Sequence, residues 1–244
     1  MTPIAAPSPN FDARTAPPDM IVLHYTGMKN GPEALARLTD PAARVSAHYL
    51  VEEDGRVFAL VDEARRAWHA GVSFWGGETD INGASIGVEL VNPGHEFGYR
   101  AFPEAQIAAL IDLIADIRSR WTIPGARILG HSDVAPARKE DPGELFPWPR
   151  LALAGHGLWV QPPPAPGPPL TFGDEGPGVF ALRAGLASLG YDSRPSGLYD
   201  GPTAAIVTAF QRHWVQTRFD GVADGDARAR LIALLRLARQ ESPR

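Results

Sequence analysis

Six of the nine residues from Gln161 to Pro169 are proline. Proline has no backbone N–H to give a helix or an inner strand, so this stretch forms an extended, semi-rigid spacer. It divides the chain into a long N-terminal part and a shorter tail. The 244 residues suffice for one medium domain and one small one. The expected organisation is a flexible segment over 1–18, a main domain over 19–155, the linker over 156–170 and a small domain over 171–240. Units separated this way are expected to fold independently.

The main part alternates strands and helices. Met20-Ile21-Val22-Leu23 reads as a buried strand that delivers His24 and Tyr25 at its end. Pro32 to Leu38 is a short helix. Val45–Val51 and Arg56–Val61 flank Glu53-Asp54-Gly55 as a hairpin, Asp-Gly supplying the positive φ of a tight turn. Asp62 to Gly83 loses periodicity and gathers Trp68, His69, Phe74 and Trp75, which either cap the core or line a groove. Ser85 to Val91 is a strand with Glu89 inside it, on the opposite face from Val88 and Leu90. Phe102 to Trp121 carries Ile107, Leu110, Ile111, Ile114 and Ile117 at helical spacing. Arg127 to Leu129 is a further strand, and Phe146 to Ala154 a closing helix. In the tail, three amphipathic helices are expected: one around Val179, Leu182, Leu186 and Leu189, then Ala204–Val215 and Ala227–Leu237. The fold class is therefore α/β, a mixed central sheet with flanking helices, followed by a small all-α three-helix domain.

The chemistry gathers in one loop, Gly130 to Gly143, which follows a strand and contains His131, Lys139 and Asp141. Strand ends are where open α/β sheets place their sites. Histidine with aspartate suits a divalent metal such as zinc, and a third ligand must come from elsewhere. Zero cysteines exclude disulfides, thiolate sites and thiol nucleophiles together. A net charge of -5 argues against a nucleic-acid partner. No apolar run approaches the roughly 20 residues of a membrane span.

Five motifs carry a resemblance. Ile21-Val22-Leu23-His24, Arg44-Val45-Ser46-Ala47-His48, Arg66-Ala67-Trp68-His69-Ala70-Gly71, Ser85-Ile86-Gly87-Val88-Glu89 and the loop from His131 to Gly143 stand in order. Over Met20 to Pro149 the chain resembles the zinc-dependent N-acetylmuramoyl-L-alanine amidases of the type 2 family, relatives of the peptidoglycan recognition proteins. The tail resembles a peptidoglycan-binding three-helix domain through Leu189-Gly190-Tyr191, Leu198-Tyr199-Asp200-Gly201, Phe210-Gln211 and Asp220-Gly221-Val222-Ala223-Asp224.

The resemblance implies one Zn2+ per chain, held by His24, His131 and Asp141 at the strand ends with a fourth position open. It implies Glu89 as proton carrier and Lys139 as stabiliser of the developing oxyanion. It suggests Arg44 for a stem-peptide carboxylate, with Trp68, His69, Asn82 and Tyr25 along the substrate groove. His48 is expected to be structural or to support a ligand, and no role is assigned to His95, His156 or His213. The implied reaction is hydrolysis of the amide between the lactyl group of N-acetylmuramic acid and L-alanine, in peptidoglycan or muropeptides.

Two rival classes fit less well. A non-catalytic peptidoglycan sensor of the same fold is expected to lack a ligand or catalytic partner, and none is missing here. A metallopeptidase of the common kind needs a His-Glu-x-x-His pair, which the sequence does not contain. A monomer is expected. Met1 to Pro18 has no basic n-region followed by an apolar h-region, which favours the cytoplasm. The wall-binding tail points instead to the periplasm or cell wall.

Overall fold

The computed structural model describes residues 2–241. Its strands are β1 (Ile4–Ala5), β2 (Phe11–Ala13), β3 (Met20–Tyr25), β4 (Tyr49–Val51), β5 (Val57–Ala59), β6 (Arg65–Ala67), β7 (Ser85–Leu90) and β8 (Ile128–Gly130). Its α-helices are α1 (Gly31–Thr39), α2 (Ile81–Ala84), α3 (Gly94–Phe97), α4 (Glu104–Arg120), α5 (His131–Val134), α6 (Trp148–Leu153), α7 (Pro177–Leu189), α8 (Gly201–Trp214) and α9 (Gly225–Glu241).

The mixed sheet runs β1-β5-β4-β7-β3-β8, antiparallel only between β4 and β5. β3 lies between β7 and β8, and Met20 through Leu23 are all fully buried. A continuous apolar strand of this kind must be covered on both faces. Ile21 and Leu23 share one cluster with Ile107, Leu110, Ile114 and Ile117 of α4. Met20 and Val22, pointing the other way, share a cluster with Val179, Leu182 and Leu186 of α7, Ile206, Val207 and Phe210 of α8, and Leu231 and Leu234 of α9.

This second cluster corrects the expectation of independent units. The tail helices belong to the same buried core as that face of the sheet. Where chain from the two parts meets, Gly190 has φ +140°, and a Cβ there would come within 2.3 Å of Trp75. The proline-rich stretch is tied down too: Ala165 N–H donates to Gly225 O at 2.8 Å, and Leu170 bridges Ala223.

The segment before Pro18 is not flexible as expected. β1 pairs with β5 and β2 with β6. Ser8 Oγ donates to Leu38 O, and Ser46 Oγ donates to Asn10 O, both at 2.6 Å. The strand expected from Val45 shortens to β4, because Ser46 N–H bonds Trp68 O instead of continuing a ladder. The helix around α4 and the hairpin of β4 and β5 stand where the sequence pattern puts them.

Candidate metal and active site

His24 is the penultimate residue of β3, and its register partner across the parallel pair is Glu89 on β7. Partners in register face the same side, so the strand pairing alone sets an imidazole beside a carboxyl. β8 delivers His131 from its other side as the first residue of α5. Asp141 returns to this point because Ser132 N–H donates to Asp141 O at 2.9 Å, closing the loop.

The three side chains converge. His24 Nδ1 and His131 Nδ1 are 2.9 Å apart, and Asp141 Oδ2 lies 3.1 Å from the first and 3.0 Å from the second. All three residues are buried. His131 Nε2 faces the carbonyl of Ala70 at 2.9 Å, and a carbonyl only accepts. The ring proton therefore sits on Nε2, which leaves a lone pair on Nδ1 aimed at a carboxylate oxygen. Lone pairs facing each other at 3 Å in a buried place call for a cation between them. The donor set of two imidazole nitrogens and one carboxylate oxygen fits zinc. Burial and the neighbouring His131 push His24 down to about 4, so it is a neutral donor at neutral pH. Burial alone would raise Asp141, but His131 and His24 hold it below the usual carboxylate range.

His24, His131 and Asp141 open onto a cleft of about 580 Å³ that Glu89, Lys139, Tyr25, Trp68 and His69 also line. Burial, reinforced by the Asp141 charge and opposed by Lys139, pushes Glu89 well above the usual carboxyl range. Its Oε2 is buried with no hydrogen-bond partner among the described residues. An orphaned carboxyl oxygen beside a metal-type cluster is placed for a ligand or a proton.

Other expected groove residues have different positions. Asn82 does not line the cleft; its Oδ1 accepts from the N–H groups of His69 and Ala70 at 3.0 and 2.8 Å. Arg44 is exposed at φ 52°, outside the cleft that its neighbours Val45 and Ser46 line. His69 does line it, yet both its nitrogens are engaged, Nδ1 with His24 Nε2 at 3.0 Å and Nε2 with Ser85 Oγ at 3.2 Å. Gly87 makes room for that ring, since a Cβ there would lie 2.4 Å from it. Trp68 donates its indole N–H to Asp12 at 2.7 Å, and the Tyr25 hydroxyl meets His95 Nδ1 at 3.0 Å. His48 is fully buried and accepts from Gly87 N–H, a structural post and no ligand.

Sequence reasoning missed two cleft cations, Arg37 and Arg138. Arg138 stands next to Lys139 in the loop, a signal that was available. Arg37 lies in the last turn of α1, where a basic residue reads as a helix-end charge.

A family model described as N-acetylmuramoyl-L-alanine amidase matches residues 14–144. A second, described as a peptidoglycan binding domain, matches 175–231. The N-acetylmuramoyl-L-alanine amidase AmiD of Escherichia coli is 38% identical over 232 residues, covering 88% of this chain and 82% of the relative. The 1,6-anhydro-N-acetylmuramyl-L-alanine amidase AmpD of the same organism is 37% identical over 170 residues, covering 60% of this chain and 88% of the relative. A solved complex of AmiD from E. coli with the substrate anhydro-N-acetylmuramic acid-L-Ala-D-gamma-Glu-L-Lys superposes with a TM-score of 0.77 at 37% identity. That match covers 93% of this chain and 92% of the other.

Proposed function

This chain belongs to the N-acetylmuramoyl-L-alanine amidase family, and on that premise we propose that it is a zinc amidase acting on muropeptides or peptidoglycan, with His24, His131 and Asp141 as its zinc ligands. It hydrolyses the amide between the lactyl carbonyl of N-acetylmuramic acid and the nitrogen of L-alanine. The observation that carries the reading is the convergence of three buried donor atoms within 3.1 Å of one another at the floor of an open cleft.

Zinc held there supplies a Lewis acid for the amide carbonyl and an acidified water as nucleophile. The chain's own residues do the rest. Glu89, on the neighbouring strand to His24, takes the proton from the attacking water and returns it to the alanine nitrogen as the C–N bond breaks. Burial pushes its carboxyl upward, which makes the protonated form a useful acid for that return. Lys139, across the cleft, brings positive charge to the oxygen of the tetrahedral intermediate. Arg37 and Arg138 give the cleft two further cations, suited to the carboxylates of a stem peptide.

The helical tail, matched to a peptidoglycan binding domain, holds the enzyme near polymeric substrate and raises its local concentration there. Among the described residues no helix is long and apolar enough to cross a membrane. Product analysis on a defined muropeptide, with and without zinc, tests the reading.

A further inference from the structure

The loop that carries His131, Lys139 and Asp141 is held from outside by the helical tail. The last turn of α8 and the residues just after it meet this loop, and the residues that directly follow it, at three places. His213 Nδ1 is 2.6 Å from Asp133 Oδ2, and Arg212 Nη2 donates to Glu140 Oε1 at 2.9 Å. Gln216 Nε2 donates to the carbonyls of Glu144 and Phe146 at 2.8 and 2.6 Å. Tyr191, just past α7, adds its hydroxyl to Asp133 Oδ1 at 2.8 Å.

Asp133 is the hub of these contacts. Its side chain is fully buried, and its Oδ2 also accepts the N–H of Gly130 at 2.8 Å. Gly130 and Asp133 bracket His131, so the carboxylate pins the backbone on both sides of that ligand. Two of the three donors that hold Asp133 come from the tail. A buried carboxylate deprived of such donors is costly to keep, and the short helix α5 has no other side-chain anchor at its start.

His213 is held rigidly for the task. It stacks between Trp148, at 3.5 Å and 19°, and Trp214, at 3.6 Å and 5°. Burial lowers its pKa, which keeps the ring neutral, and Nδ1–H is the proton that faces the carboxylate. Its Nε2 is left without a hydrogen-bond partner among the described residues. An apolar side chain would fill that slot without the desolvation cost, so packing alone does not explain a histidine there.

We propose that Tyr191 and His213 are positioning residues of the metal centre, fixing Asp133 and through it the placement of His131. The tail is then a structural part of the catalytic machinery as well as a binding module. This inference rests on the reading of His24, His131 and Asp141 as zinc ligands.

The test compares two phenylalanine substitutions in the full-length protein. Tyr191→Phe removes a buried hydroxyl bonded to Asp133. Tyr199→Phe removes an equally buried hydroxyl bonded to Gly221 O at 2.7 Å, inside the tail. Zinc affinity is measured by competition with a chelator, and the thermal midpoint is recorded alongside. Tyr191→Phe is expected to loosen zinc by about 10-fold, the lower end for partners that orient ligands. Tyr199→Phe is expected to lower the midpoint comparably and leave zinc affinity unchanged. His213→Asn, whose amide keeps a donor for Asp133, should hold zinc more tightly than His213→Leu. Equal zinc affinity in the two tyrosine variants overturns the inference while leaving the amidase reading intact. A wild-type protein that binds no zinc overturns both, which separates the two failures.

Discussion

His24 Nε2 lies 3.0 Å from His69 Nδ1, and that contact sets which nitrogen of His24 is free for a metal. The chain of donors can be read from its far end. Ser85 Oγ donates to Ile81 O at 2.5 Å, so its oxygen accepts from His69 Nε2–H. His69 Nδ1 then carries a lone pair and accepts from His24 Nε2–H. His24 Nδ1 is left bare, facing His131 and Asp141. His69→Phe keeps the ring and removes the acceptor. Zinc affinity should fall by about 10–100-fold, and Ser85→Ala should act in the same direction more weakly. Chelator competition reads both, and wild-type affinity in His69→Phe would remove it from this role.

Glu89→Gln keeps the size of the side chain and removes its proton chemistry. As the proton carrier, Glu89 should account for about 10²–10⁴-fold in kcat. Zinc content and KM should stay near wild type, because Glu89 is no ligand in this account. Stopped assays on a defined muropeptide, paired with elemental analysis, separate the two effects. Near wild-type turnover with zinc bound would pass the role to another group.

His131 and Asp141 stand out as a metal-type pair because one follows an apolar strand and the other closes a turn-rich loop. His24, a histidine at the end of an apolar strand, reads as structural when taken alone and joins them only through the family resemblance. The docking of the tail was not legible. Val179, Leu182, Leu186, Ile206 and Phe210 form apolar stripes that three helices could satisfy among themselves. One clue was present all the same. Met20 through Leu23 need cover on two faces, and α4 is the one long helix before the linker. The position of Asn82, outside the cleft, was illegible for a different reason. A polar residue near a groove has the same one-dimensional signature whether it faces substrate or a neighbouring backbone.

Removal of everything after Gly155 should therefore cripple the amidase part. It removes Val179, Leu186, Ile206, Phe210 and Leu234 from the buried cluster to which Met20, Val22, Leu129 and Val134 belong. At roughly 1.5–3 kcal/mol for each large apolar side chain, the loss rivals the 5–15 kcal/mol total stability of a typical domain. The truncated protein should be insoluble or lack fixed tertiary structure by near-ultraviolet circular dichroism. A soluble fragment with cooperative unfolding and full zinc would show that the shared core is dispensable.

Glu63 makes part of the stability acid-sensitive. It is buried, and its carboxylate accepts from Tyr49 at 2.7 Å, Arg120 at 2.8 Å and Trp121 at 2.6 Å. Burial alone would raise its pKa, but those hydrogen bonds prevail and hold it below the ordinary value. A depressed carboxyl contributes fully above its unfolded pKa of about 4.3, and the contribution is lost as pH falls through the lower folded value. Urea midpoints measured from pH 5 down to pH 3 should fall less steeply in Glu63→Gln than in wild type. Parallel curves would assign the acid sensitivity to other groups.

A zinc site built from His24, His131 and Asp141 is proposed to cleave the muramoyl–alanine amide. Its most direct test is mass spectrometry of the products formed from anhydro-N-acetylmuramic acid-L-Ala-D-gamma-Glu-L-Lys by wild-type protein, chelator-treated protein and His131→Ala. Two products are expected from the wild type, the free anhydro-sugar acid and an intact peptide beginning with L-alanine. Chelation should abolish both, added zinc should restore them in the wild type, and His131→Ala should stay inactive at the same zinc level. Cleavage inside the peptide, or full activity after verified removal of metal, would contradict it.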